Sequence, residues 1–342
     1  SYLGQKIVDI DRAFLDKNGA KRYQNIEIEL PDFSNCPFDV QSQKSFKDST
    51  KEVLSRLSVC SQKGLIERFD SSIGNATVLS PFGGKTFRTE TEGMAALIPT
   101  LGYETSTCSL MSYGYNPDIS KWSPFHGSMT AVVESMSKIV AMGGDYKTIK
   151  FTFQEYFERV NKEKERWGKP LSALLGAFKA QMNLKIASIG GKDSMSGTFE
   201  NIDVPPTLVS FAVTTDKVKN VVSPEFKKSG NNVYLIRPNY DTNNLPETDS
   251  LVATFNKVTK LMREGKIVSA YTPTYGGIAE AVYKMAIGNG LGFLYNKGIT
   301  LSEIFGYNYG AFIVESNTQL DEKLLGVITE EKVISYNGEK LD

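Results

Sequence analysis

Between residues 128 and 142, Met129, Val132, Val133, Met136, Ile139 and Val140 recur at spacings of three and four. This stripe predicts an amphipathic helix, stopped by Gly143-Gly144-Asp145. Helices are also expected at about 47–58, 152–164, 248–263 and 278–286, with another opened by Pro170 and running to about 182. Short alternating or apolar runs predict strands at 7–10, 26–30, 186–189, 207–213, 233–236 and 311–314. The paired glycines of Pro81-Phe82-Gly83-Gly84-Lys85 predict a loop with close backbone approach. Lys227-Lys228-Ser229-Gly230-Asn231-Asn232 is a polar, turn-forming break. Helices and strands alternate on both sides of it. The expectation is therefore a mixed α/β (α+β) chain of two domains, residues 1–226 with an irregular N-terminal segment and residues 231–342.

Length agrees with two domains, since 342 residues exceed the roughly 250–300 beyond which one core splits. With 40% hydrophobic and 23% charged residues the chain should form sizeable cores. Its 39 basic residues balance 39 acidic ones, so no whole-chain field favours nucleic acid or an anionic membrane. Cys36, Cys60 and Cys108 lack CxxC spacing and His126 is the single histidine, which argues against zinc and against a disulfide framework. No apolar run of ~18 residues is present for a membrane span, and a cytoplasmic location is expected. The start at Ser1 and the polar close at 337–342 suggest a fragment cut from a longer protein.

Chemistry concentrates in a few places. Gly190-Gly191-Lys192-Asp193-Ser194-Met195-Ser196 follows an expected strand. Its glycines would let backbone amides approach an anion, Lys192 offers an ammonium to phosphate, and Asp193 offers hard oxygens to magnesium. The same glycines also fit a plain strand-to-loop turn. Glu134 and Lys138, four apart on the amphipathic helix, read by default as an exposed ion pair. Glu90 and Glu92 past the glycine loop would otherwise favour a helix dipole. Convergence of Glu92, Glu134 and Asp193 on magnesium is the sharper alternative. His126 precedes a helix, where it caps, packs or serves as the one available imidazole base. Tyr275-Gly276-Gly277 either places amides toward a phosphate or permits a tight turn. No covalent catalytic constellation is expected, and catalytic residues stay unassigned.

Several runs resemble one family. Trp122-Ser123-Pro124-Phe125-His126-Gly127, Ala141 through Lys147, Thr152 through Phe157, Arg166-Trp167-Gly168-Lys169-Pro170, Gly190 through Phe199 and Asp203 through Phe211 are similar to the large single-chain phosphoribosylformylglycinamidine synthase. The likeness spans roughly residues 50–300 and points to the second of that enzyme's two aminoimidazole ribonucleotide synthetase-like halves, an N-terminal-type followed by a C-terminal-type domain. It implies a carbon–nitrogen ligase of purine synthesis. ATP activates the amide oxygen of formylglycinamide ribonucleotide, and ammonia from glutamine displaces phosphate. The first synthetase half and a glutaminase domain are the implied partners, and this chain alone is not expected to complete the reaction.

The resemblance further implies an auxiliary ATP or ADP held with Mg2+. Glu92, Glu134 and Asp193 match its metal ligands, and Gly190, Gly191, Lys192, Ser194 and Lys138 fall at the nucleotide. Two departures stand out. Lys138 replaces a neutral ligand, and Tyr275 stands in Thr274-Tyr275-Gly276-Gly277 where many relatives have a carboxylate. Both favour a structural duty. The alternatives are an interface module that binds no nucleotide, with Lys138 neutralising Glu134, or another ATP-using member of the superfamily.

Overall fold

The computed structural model describes residues 1–17, 23–38, 44–68 and 76–342. Two sheets organise the chain. The first runs in the order Thr77–Leu79, Gly93–Leu97, Thr107–Gly114, Thr207–Lys217, Lys150–Tyr156, Ser188–Lys192, antiparallel except for its last, parallel pair. The second runs Ile267–Tyr271, Phe312–Ser316, Asn232–Ile236, Lys323–Thr329, Gly292–Tyr295, Ile334–Tyr336, Glu339–Leu341, with one parallel pair between Gly292–Tyr295 and Ile334–Tyr336.

The helix Pro124–Ala141 is the central rod. It starts ahead of its apolar stripe because Pro124 suits a first helical position and the Ser123 side chain accepts the His126 N–H. It is buried on nearly every face, so its serines and threonine bond inward, Ser135 Oγ to Ser210 Oγ at 2.9 Å and Ser137 Oγ to the Val133 carbonyl at 2.8 Å. One apolar cluster joins Val133, Met136 and Leu110 to Phe255 and Phe312, and so spans both sheets. A second gathers Phe46, Val53, Ile278, Val282, Phe293 and Ile313 around the helix Gly277–Ile287. At Gly114 a Cβ would come within 2.2 Å of the Ala131 carbonyl, so glycine there lets the strand Thr107–Gly114 lie directly against the rod.

The helix Thr248–Arg263 occupies the expected residues. Other expectations need correction. The helix expected at 152–164 does not form over 152–163: Phe151 and Phe153 alternate with more exposed neighbours, the period of the strand Lys150–Tyr156. The charged run beyond it opens the helix Lys164–Leu184, which carries Pro170 inside rather than at its start. The glycine pair lies within the edge strand Ser188–Lys192 instead of the loop after it, and a Cβ on Gly191 would meet the Phe153 carbonyl at 2.6 Å. No sheet strand forms at 7–10 or 26–30. The Glu27 N–H donates to the Lys164 carbonyl (3.1 Å), so this segment lies on the helix Lys164–Leu184 instead of pairing with a strand.

Candidate functional site

Four glutamates from three segments face one cavity of about 150 Å3 between the sheets. Glu90 ends the short strand Thr89–Glu90, Glu92 lies just past it, Glu134 is on the helix Pro124–Ala141 and Glu280 is on the helix Gly277–Ile287. Two lysines answer them. Lys138 Nζ lies 2.7 Å from Glu134 Oε1, donates to the Tyr113 carbonyl at 3.0 Å, and sits 4.8 Å from the centre of the Tyr113 ring. Lys284 Nζ lies 2.5 Å from Glu90 Oε2 and 2.7 Å from Glu280 Oε1.

Both ammonium groups are held charged. Burial works against the Lys138 cation, but the Glu134 carboxylate, with Tyr113 and Glu92 beyond it, raises its pKa above the ordinary lysine value. Burial likewise opposes the Lys284 charge, and Glu280 and Glu90 overcome it. Burial pushes the Glu92 carboxyl up to about 8, against the pull of Lys138 and of Thr272, whose N–H donates to it at 2.9 Å. Tyr275 ties the Tyr275-Gly276-Gly277 turn to the same wall by donating from its hydroxyl to the Tyr115 carbonyl at 2.6 Å, and burial raises its pKa.

The residues singled out by sequence divide in two. Glu92, Glu134 and Lys138 meet in the cavity. Gly190, Gly191, Lys192 and Asp193 are exposed on the edge strand and its exit, and none of them, nor Ser194, lines this cavity. Lys192 lies over the Tyr156 ring at 5.2 Å, and the Ser194 N–H donates to the Glu155 carbonyl at 3.0 Å. Of the three expected metal ligands, Glu92 and Glu134 face this cavity and Asp193 does not, and among the described residues no group of three or more His, Cys, Asp or Glu is placed to hold a metal ion. Sequence reading passed over Glu280 and Lys284. Glu280-Ala281-Val282-Tyr283-Lys284 repeats the spacing of Glu134-Ser135-Met136-Ser137-Lys138, a signal that was there to be read.

His126 packs among Trp122, Phe125 and Phe33, at ring-centre distances of 4.8, 5.6 and 6.1 Å. Its Nδ1 pairs with Ser123 Oγ at 2.7 Å, and burial lowers its pKa. It therefore fixes the helix start and borders a second cavity of about 300 Å3 under residues 28–33.

No protein-family model matches the chain. Among curated proteins it is 24% identical over 313 residues to phosphoribosylformylglycinamidine synthase subunit PurL of Thermoplasma acidophilum, covering 85% of this chain and 39% of that protein. It is also 24% identical over 317 residues to PurL of Thermoplasma volcanium, covering 87% and 40%. The chain is thus similar to PurL over most of its own length. It spans about two fifths of the length of these relatives. Among solved structures, PurLQS from Thermotoga maritima superposes with a TM-score of 0.64 at 11% identity, over 88% of this chain and 51% of that one. AaThiL complexed with AMPPCP and TMP superposes at 0.56 and 15% identity, over 84% of this chain and 96% of that one. The fold is thus that of the aminoimidazole ribonucleotide synthetase-like proteins. Among the described residues no helix is long and apolar enough to cross a membrane.

Proposed function

We propose that this chain is a synthetase half of a phosphoribosylformylglycinamidine synthase, an ATP-dependent carbon–nitrogen ligase of purine synthesis, and that its duty there is architectural. The division into residues 1–226 and 231–342 and a cytoplasmic location belong to the same proposal. The observation that carries it is the ion-paired cavity, set in a chain similar to PurL: Lys138 lies 2.7 Å from Glu134, where a nucleotide-bound magnesium would need a free carboxylate. This chain's residues hold the two sheets in register, while the acid–base and glutamine chemistry falls to the first synthetase half and a glutaminase domain.

A purified chain supplied with formylglycinamide ribonucleotide, ammonia and ATP is expected to release no ADP. Removing these residues from the complete enzyme should abolish its activity. ADP release by the chain alone, or full activity without it, overturns the proposal.

A second reading, an auxiliary nucleotide, draws support from Thermotoga maritima PurL, solved in complexes with ADP, AMPPCP and ATP. Lys192, Ser194 and the exposed glycine pair would then meet the phosphates, Lys138 replacing part of the metal's charge. Calorimetry with ADP decides between the two. The architectural reading expects no heat, with or without magnesium, from protein shown to be folded.

A further inference from the structure

The family resemblance of the sequence implies magnesium at Glu92 and Glu134, and the residues around them do not fit it. Every oxygen of the four glutamates already faces a donor from the chain. Glu134 Oε1 takes Lys138, and its Oε2 takes the Tyr115 N–H at 3.2 Å. Glu280 Oε1 takes Lys284, and its Oε2 takes the Gly276 N–H at 2.8 Å. Glu90 Oε2 takes Lys284, and its Oε1 takes the Gln62 N–H at 2.9 Å. Glu92 is bonded to both the N–H and the hydroxyl of Thr272. A divalent ion would have to displace an ammonium from two like-charged neighbours and strip backbone donors from buried carboxylates, both of which are costly.

The arrangement is also doubled. Each of two helices presents Glu-x-x-x-Lys into the same space, and each lysine reaches past its own helical partner to a second segment: Lys138 to the Tyr113 carbonyl on the strand Thr107–Gly114, Lys284 to Glu90. We infer that Lys138 and Lys284 are built-in cations that stand in for divalent metal, offsetting part of the glutamates' charge and making this junction between the sheets independent of magnesium. The inference takes from the family reading only the expectation of a metal; the side-chain network stands without it.

Manganese supplies the test, with no nucleotide and no turnover involved. Electron paramagnetic resonance titration of Mn2+ into the full chain is expected to show no tight site, and melting temperature should be the same in EDTA and in excess Mg2+. Lys138→Asn, which frees Glu134 and removes the repelling charge, should raise Mn2+ affinity at least tenfold and make its melting temperature rise with Mg2+. Should that variant fail to fold, Lys138→Gln in the presence of Mg2+ serves the same comparison. Tight Mn2+ binding by the unmodified chain that Glu134→Gln abolishes overturns the inference, as does unchanged weak Mn2+ affinity in a folded Lys138→Asn. These readouts are independent of ligase activity, so the architectural proposal and the built-in cations can fail separately.

Discussion

Lys138 sets the character of the cavity because its partner Glu134 is 2% exposed and lies 2.7 Å from the ammonium. Removing one member of a buried ion pair leaves an uncompensated charge, at a cost of roughly 3–5 kcal/mol. Lys138→Met should lose about that much in denaturant unfolding, and adding Glu134→Gln to it should restore most of the loss; a single-variant cost below about 1 kcal/mol would place the pair in solvent. His126 makes a separate residue-scale prediction. Burial lowers its folded pKa below the unfolded 6.5, offset in part by Asp241 and the Asn243 backbone. The unfolded chain therefore binds the proton more readily. Stability is present above about pH 6.5 and is lost as pH falls through the folded pKa. As the only histidine it gives one imidazole signal by NMR. That signal should titrate below 6.5, and His126→Gln should flatten the fall in melting temperature between pH 7 and 5.

At the scale of elements, the approach of the strand Thr107–Gly114 to the helix Pro124–Ala141 is what carries Tyr113 and Tyr115 to Glu134 and Lys138. Gly114→Val would drive a side chain into the Ala131 carbonyl and the Glu134 Cβ, 2.2 and 2.8 Å from the first added carbon. Overpacking of this kind costs about 1–3 kcal/mol or more, read as a lower melting temperature. This contact also marks where the sequence stopped being legible. The helix Thr248–Arg263 announces itself by periodicity, and the helix Pro124–Ala141 does so for most of its length. The strand Lys150–Tyr156 was obscured by the charged run after it, whose helix begins only at Lys164. Glu92, Glu134 and Lys138 were singled out together by spacing and resemblance. That Asp193 would stay on an exposed edge, and that Lys284 would face the same cavity, depend on how separate segments pack, which no local pattern encodes.

For the whole molecule, the apolar cluster that joins Val133 and Leu110 to Phe255 and Phe312 couples the two sheets. Trp122 and Trp167, the two tryptophans, both lie on the N-terminal side of the polar break at 227–232. Their fluorescence and the far-ultraviolet circular dichroism of the entire chain should therefore report one coincident denaturant transition; two separated transitions would show that the sheets unfold independently. On the architectural reading proposed above, the same coupling would supply a rigid body against which the rest of a synthase is held. The most direct measurement of the central claim is a crystal soaked in Mn2+ and examined at the manganese absorption edge. The account predicts no anomalous peak among Glu90, Glu92, Glu134 and Glu280, with Lys138 and Lys284 bonded in place. A strong peak there, with either lysine swung out of the cavity, would contradict it.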